Sequence, residues 1–308
     1  MVGFFRALRL LVLLLISSIG ALMLSCDGGS RPVKPPRSEQ VKTKLRVVST
    51  TPLIHEIVTR LAGDKVDAIC LLRPGEALDE PTLRAGDTTA MREADLILLH
   101  GTEQEAKILV TIKANAKPDR IQILAAIKSE PATASNNLAV PSFAPVDQHA
   151  LIERVTAILL TLTPSPLSDA EKQSRPLHAE VEELTTWMKT QLAATSPEHR
   201  IVLTDDALAA SIIRGSGLEA VVVDRLANAV PTQVDRQRLL TQIRSSKASV
   251  IAIDAKGSET TAEMLEEIAR ETGAKIVGRP LQIWPTAENG YVAMMKANVK
   301  ELVAAMKR

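Results

Sequence analysis

The chain has 308 residues, enough for two domains of ordinary size. Its formal net charge of +1 gives no bulk electrostatic case for nucleic acid or an anionic membrane surface. Aromatic residues make up 2% of it, which also argues against base-stacking platforms, so no nucleic-acid partner is expected.

Residues 1–25 read as a signal peptide outside the fold. Arg6 and Arg9 precede the apolar run Leu10–Ile16, and Ser17, Ser18 and Gly20 loosen the stretch after it. The run is too short and too broken for a spanning helix. Met23-Leu24-Ser25-Cys26 resembles a bacterial lipobox. Cleavage before Cys26 would leave an N-terminal cysteine to carry lipid and anchor the chain to the cell membrane. A plain secretory signal and an uncleaved anchor are the alternatives. Asp27 resembles the enterobacterial signal for staying on the inner membrane. With Cys26 acylated, Cys70 has no intrachain partner and reads as a small buried side chain. Residues 26–44, rich in Gly, Pro, Ser and basic residues, read as a flexible tether.

Strands and helices then alternate. The first lobe, residues 45–167, begins with a strand at Leu45–Ser49. A helix follows at Leu53–Ala62, a strand at Val66–Leu72 and a loop from Arg73 through Pro81. Next come a short helix at Thr88–Glu93, a strand at Leu96–Leu99, a helix at Glu103–Ile112 and a strand at Ile121–Leu124. Ile127–Gln148 reads as loop, and His149–Leu162 as an amphipathic helix. Residues 168–195 read as a long connecting helix. Ser168 and Glu171 have capping-box spacing, and Leu177, Val181, Leu184, Met188 and Leu192 fall on one face. Pro176 either kinks this helix or stands in its first turn.

The second lobe, residues 196–308, repeats the pattern. Strands are predicted at Ile201–Leu203, Val221–Val223, Val250–Ile253 and Lys275–Val277. Helices are predicted at Asp206–Arg214, Val234–Ser245, Thr260–Thr272 and Tyr291–Met306. Strands separated by helices of this length imply parallel sheets with crossover helices. The fold class is therefore α/β: two parallel-sheet lobes joined by one long helix, with a ligand cleft between them. A monomer is expected.

In such sheets ligands lie beyond the carboxyl ends of the strands. That rule singles out Thr50-Thr51, Arg73–Pro81, His100-Gly101, Thr204-Asp205-Asp206, Asp254-Ala255 and Arg279-Pro280. Each candidate also has an ordinary reading. His149 suits local contacts at a helix start, and Asp205 with Asp206 suits a helix N-cap. His100 suits a backbone bond, and Trp284 a pocket mouth or a cover over the second lobe. His55, His178 and His199 have no partner spacing and read as solvated or structural. No nucleophile elbow, P-loop or His-Glu-x-x-His is present, and no enzyme is predicted.

The order of segments from Val47 to Met306 resembles the substrate-binding lipoproteins of zinc and manganese ABC transporters. The matching pieces are Val47–Thr50 with Ala62–Val66, Arg73–Gly75 with Glu80–Thr82, and Ala94–Ile97. Further pieces are Ile201–Thr204 with Asp206-Ala207, Gly217–Glu219, Ile268–Lys275, and Tyr291, Met295 and Asn298. The resemblance implies a divalent transition metal, zinc or manganese, as cargo and an ABC transporter permease as partner. It also marks where this chain departs. The family's first His position is Ala77, its third ligand position is Asp205, and its acidic fourth is Arg279. His149 is the nearest match to the second His. The ligands left to expect are His149 and Asp205, with Asp79 or Glu80 swinging in. Such a set suits manganese better than zinc. Arg279 raises the Coulomb cost of a bare cation and suits a metal chelate or small anion, in a cleft that Ala77 and Thr50 would share. A third reading has Arg279 pair with Asp205 and clamp the lobes, as in a structural or adhesion lipoprotein without ligand.

Overall fold

The computed structural model describes residues 44–73, 76–124, 140–162, 169–224, 231–255 and 258–307. Two four-stranded parallel sheets carry the fold. The first contains β1 (Leu45–Ser49), β2 (Val66–Cys70), β3 (Leu96–Leu99) and β4 (Ile121–Ile123), in the order β2-β1-β3-β4. The second contains β5 (Ile201–Thr204), β6 (Glu219–Val222), β7 (Val250–Ile251) and β8 (Lys275–Ile276), in the order β6-β5-β7-β8. Each sheet therefore starts in its interior and winds outward in both directions. In β1, Val47 pairs with Ala68 on one side and Leu96 on the other. In β5, Val202 pairs with Ala220 and Val250. Central strands covered on both faces read as unbroken apolar runs, and all four residues of β3 are buried.

The helices are α1 (Pro52–Ala62), α2 (Ala85–Glu93), α3 (Ala106–Asn115), α4 (Pro145–Leu162), α5 (Ala170–Ala193), α6 (Ala207–Gly215), α7 (Gln233–Ser246), α8 (Glu259–Thr272) and α9 (Tyr291–Met306). Their ends follow local chemistry. Thr51 caps α1 by accepting from the Ile54 amide, and Asp206 caps α6 by accepting from Ala209 at 2.9 Å. Thr232 and Asp235 form a reciprocal capping box on α7.

Of the boundaries that differ from the sequence reading, two bear on the site. The second helix begins at Ala85 rather than Thr88, because the Asp87 carboxylate turns back to take the Arg84 amide at 2.8 Å. The fourth begins at Pro145, so His149 lies one turn inside it rather than at its start. The long helix α5 is continuous through Pro176 and buries Leu177, Val181, Leu184, Met188 and Leu192. Ser168, the expected capping residue, lies outside the described residues, as does Cys26.

One apolar core runs through both sheets and the helices between them, joining Val47, Leu151, Leu184, Val202, Ile212 and Met295. Polar contacts pin the same junction. The Tyr291 hydroxyl donates to the Phe143 carbonyl at 2.8 Å, and the Tyr291 amide to Glu56 Oε2 at 2.8 Å. Gly290 permits the second contact, since a Cβ there would overlap the Glu56 carboxylate. Ser211 Oγ donates to the Pro141 carbonyl at 2.9 Å and accepts from the Phe143 amide at 3.3 Å. Gly215 lets α6 approach this strap, because a Cβ would stand 2.7 Å from the Phe143 carbonyl carbon. A junction packed this way resists hinge opening.

Candidate functional site

The carboxyl ends of both sheets open on a cavity of about 880 Å³. Its first-lobe wall is the loop after β2, with Glu76, Ala77, Leu78 and Asp79, together with Gln104. The loop is held from behind. Arg73 makes a two-pronged pair with Asp87 at 2.6 and 3.0 Å, and Glu76 accepts from the Arg73 amide at 2.9 Å and from Arg84 at 3.2 Å. Burial pushes the Asp87 carboxyl up, but the Arg73 hydrogen bonds, the Arg84 amide and both charges outweigh it and hold it below its usual value. The stabilisation from Asp87 is therefore complete above the unfolded carboxylate value of about 3.9 and is lost as pH falls through the lower folded value. Urea unfolding should show Asp87→Asn less stable than the parent at pH 6, with the gap narrowing below pH 4.

Beneath this wall lies a buried polar knot. Glu105 is fully buried and accepts from Thr50 Oγ1 at 2.5 Å and from the amides of His100, Gly101 and Thr102 at 3.2, 2.6 and 3.1 Å. His100 Nε2 meets Thr51 Oγ1 at 2.8 Å, and burial pushes its pKa down despite the Glu105 charge, leaving a neutral ring. Thr50 thus supports the ends of β1 and β3 from below and does not line the cavity.

The second-lobe wall comes from the strand ends of β5, β6, β7 and β8. Asp205 and Asp206 follow β5, Asp224 follows β6, and Asp254 follows β7. Arg279 lies on the segment after β8, and α8 adds Leu265 and Glu266. Some of these carboxylates already have work: Asp206 caps α6, and Asp224 lies 3.6 Å from Arg238. Trp284 forms part of the apolar wall, with its ring 5.7 Å from that of Phe143 and tilted by 53°.

The structure therefore brings Ala77, Asp79, Asp205 and Arg279 to one cavity. It does not bring the others. Glu80 is exposed outside it and pairs with Lys107 at 3.3 Å. His149 turns away on α4 to meet His178 of α5, Nδ1 to Nδ1, at 2.7 Å. Arg279 makes no ion pair with Asp205 among the described residues, so the clamp reading has no contact behind it. Gln104 and Glu266 were not singled out from the sequence. Asp254 was within reach of the strand-end rule, but Gln104 sits in a 3₁₀ turn and Glu266 on a helix face, where that rule is silent. Among the described residues, no group of three or more His, Cys, Asp or Glu side chains is placed to hold a metal ion. Among the described residues, oxygen donors line the cavity, no imidazole does, and Arg279 is the cation that stands among them.

Comparison with known proteins adds the family. Residues 47–305 match ZnuA, described as zinc-uptake complex component A, periplasmic. The zinc-binding protein TroA of Treponema pallidum is 22% identical over 278 residues, covering 85% of this chain and 89% of that protein. The iron-binding protein YfeA of Yersinia pestis is 21% identical over 242 residues, covering 76% of each. The manganese-bound periplasmic metal-binding protein of Candidatus Liberibacter asiaticus superposes with a TM-score of 0.72 at 19% identity, covering 85% of this chain and all of that one. Its cadmium-bound form gives 0.70 at 20% identity over the same shares. The match over nearly all of the fold places the chain in the zinc-uptake complex component A family, a family of solute-binding proteins rather than enzymes.

Proposed function

We propose that this chain is the solute-binding component of an ABC importer. In this reading it is tethered to the cell membrane by lipid on Cys26, faces the periplasm or cell exterior, and delivers a divalent transition metal to a permease. Membership of the zinc-uptake family and the metals for which its relatives are named support the class of cargo. The observation that carries the finer reading is the cavity itself. At about 880 Å³ it falls in the range of small-molecule pockets, and its described residues include carboxylates and Arg279 but no imidazole.

The cargo that fits is a metal already held by a small organic ligand. Such a ligand supplies the nitrogen donors that are absent from the described lining of the cavity. The positive metal centre then faces the carboxylates of Asp79 and Asp205. A carboxylate on the chelator answers Arg279, and its carbon skeleton lies against Leu265, Ile283 and Trp284. The close-packed lobe junction favours capture by small loop adjustments over wide closure.

Two experiments test this role. Cys26→Ala should move most of the chain from the membrane fraction to the soluble fraction, and unchanged fractionation would remove the lipid anchor. In cells deleted for the chain, uptake of zinc or manganese should fall and be restored by the parent but not by Arg279→Ala. Undiminished uptake in the deletion strain would remove the importer role.

A further inference from the structure

Helices α4 and α5 carry the same short pattern, His149 with Glu153 on one and His178 with Glu182 on the other. A spacing of four sets each pair on one helix face. The helices bring the two imidazoles edge to edge, with ring centroids 5.0 Å apart and planes 14° from parallel. Their Nδ1 atoms stand 2.7 Å apart, so one ring donates and the other accepts. On the far side of the first ring, His149 Nε2 lies 4.0 Å from Glu182 Oε2. The Glu153 charge acts on His178. The His149 side chain is 29% exposed and that of Glu182 is 74% exposed, so solvent reaches the pair.

We propose that His149 and His178 form a transition-metal site between α4 and α5, separate from the cleft, which neither residue lines. The site takes a divalent ion of the imidazole-preferring class, such as zinc. The ion replaces the proton shared by the two Nδ1 atoms. Two nitrogens on a tetrahedral zinc, with bonds of about 2.0–2.1 Å, stand roughly 3.3 Å apart. The Nδ1 atoms, 2.7 Å apart, therefore part by about 0.6 Å and both rings turn so that their lone pairs converge on the ion, within reach of side-chain rotation at a partly exposed position. Glu182 then serves as the outer partner of His149. By accepting from Nε2–H it fixes the tautomer whose Nδ1 lone pair faces the ion. Glu153, whose charge acts on His178, is a further carboxylate on the same face, and solvent completes the coordination. Two imidazoles at contact distance account for a site even though no three-residue ligand group is already assembled among the described residues.

The test is calorimetric titration of the full chain in detergent with zinc chloride at pH 7.5. One zinc per chain is expected. Affinity should drop at least tenfold in His149→Ala and in His178→Ala, and severalfold in Glu182→Gln. It should be unchanged in Asp205→Asn, which separates this site from the cleft. Zinc should also shift the imidazole NMR signals of both histidines in the parent. Each variant's thermal transition reports whether it is folded, and the exposed Glu182→Gln position keeps the test valid if a histidine variant unfolds. Absence of zinc heat, zinc binding that persists without the histidines, or binding lost in Asp205→Asn would each overturn the proposal.

Discussion

Glu105→Ala is expected to lower the unfolding free energy by about 3–5 kcal/mol. The side chain is fully buried and accepts from one hydroxyl and three backbone amides. Alanine leaves all four donors without their acceptor, and each of those that is buried costs about 1–3 kcal/mol before relaxation or water entry. The sum is not additive, because water entering the vacated space would meet several donors at once. Glu105→Gln keeps the shape and one acceptor oxygen but sets an amide against those donors, so it should fall between parent and alanine. Urea unfolding of the three proteins checks the order. Equal stability of parent and alanine variant would mean that the knot beneath the first-lobe wall contributes nothing.

Phe143→Ala should cost a similar amount, about 3–5 kcal/mol, for a different reason. The ring is fully buried where the lobes meet and packs against Trp284 in the cavity wall. Its removal loses apolar burial and leaves a cavity that the packed strap cannot close, since Ser211, Gly215 and Tyr291 fix its backbone from three sides. A second consequence separates it from Glu105. Trp284 loses its support, so solute binding should weaken even where the variant remains folded. Phe143→Leu should recover most of the stability. Thermal unfolding and ligand titration of both variants distinguish the packing effect from the wall effect.

Much of the fold was legible because its signals are local. The apolar runs of β1, β3 and β5, the cap at Asp206, and the glycine at φ 76° that closes α8 each depend on a few neighbouring residues. The site was legible where a residue's role follows from its place just after a strand. Asp79, Asp205 and Arg279 satisfy that rule. His149 did not, because Pro145 begins its helix and shifts the imidazole a full turn toward α5. Polar residues between Pro141 and Gln148 read as loop, yet Gln148 is buried and its amide donates to the Ser142 carbonyl at 2.8 Å. The contacts that join the lobes were out of reach for another reason. Tyr291 and Phe143 are 148 positions apart, and no pattern within either segment announces the other.

On the proposed reading, the cleft takes its metal with an organic ligand attached rather than with side chains of its own. The most direct measurement uses the His149→Ala/His178→Ala variant, so that only the cleft is read. Zinc is titrated into it by calorimetry, once alone and once with free histidine as chelator in slight excess. Binding is predicted only in the second titration, and that binding should disappear when Arg279→Ala is added. Zinc alone binding as tightly as its histidine complex, with loss in Asp205→Ala, would contradict the account and return the cleft to a site that holds the bare ion.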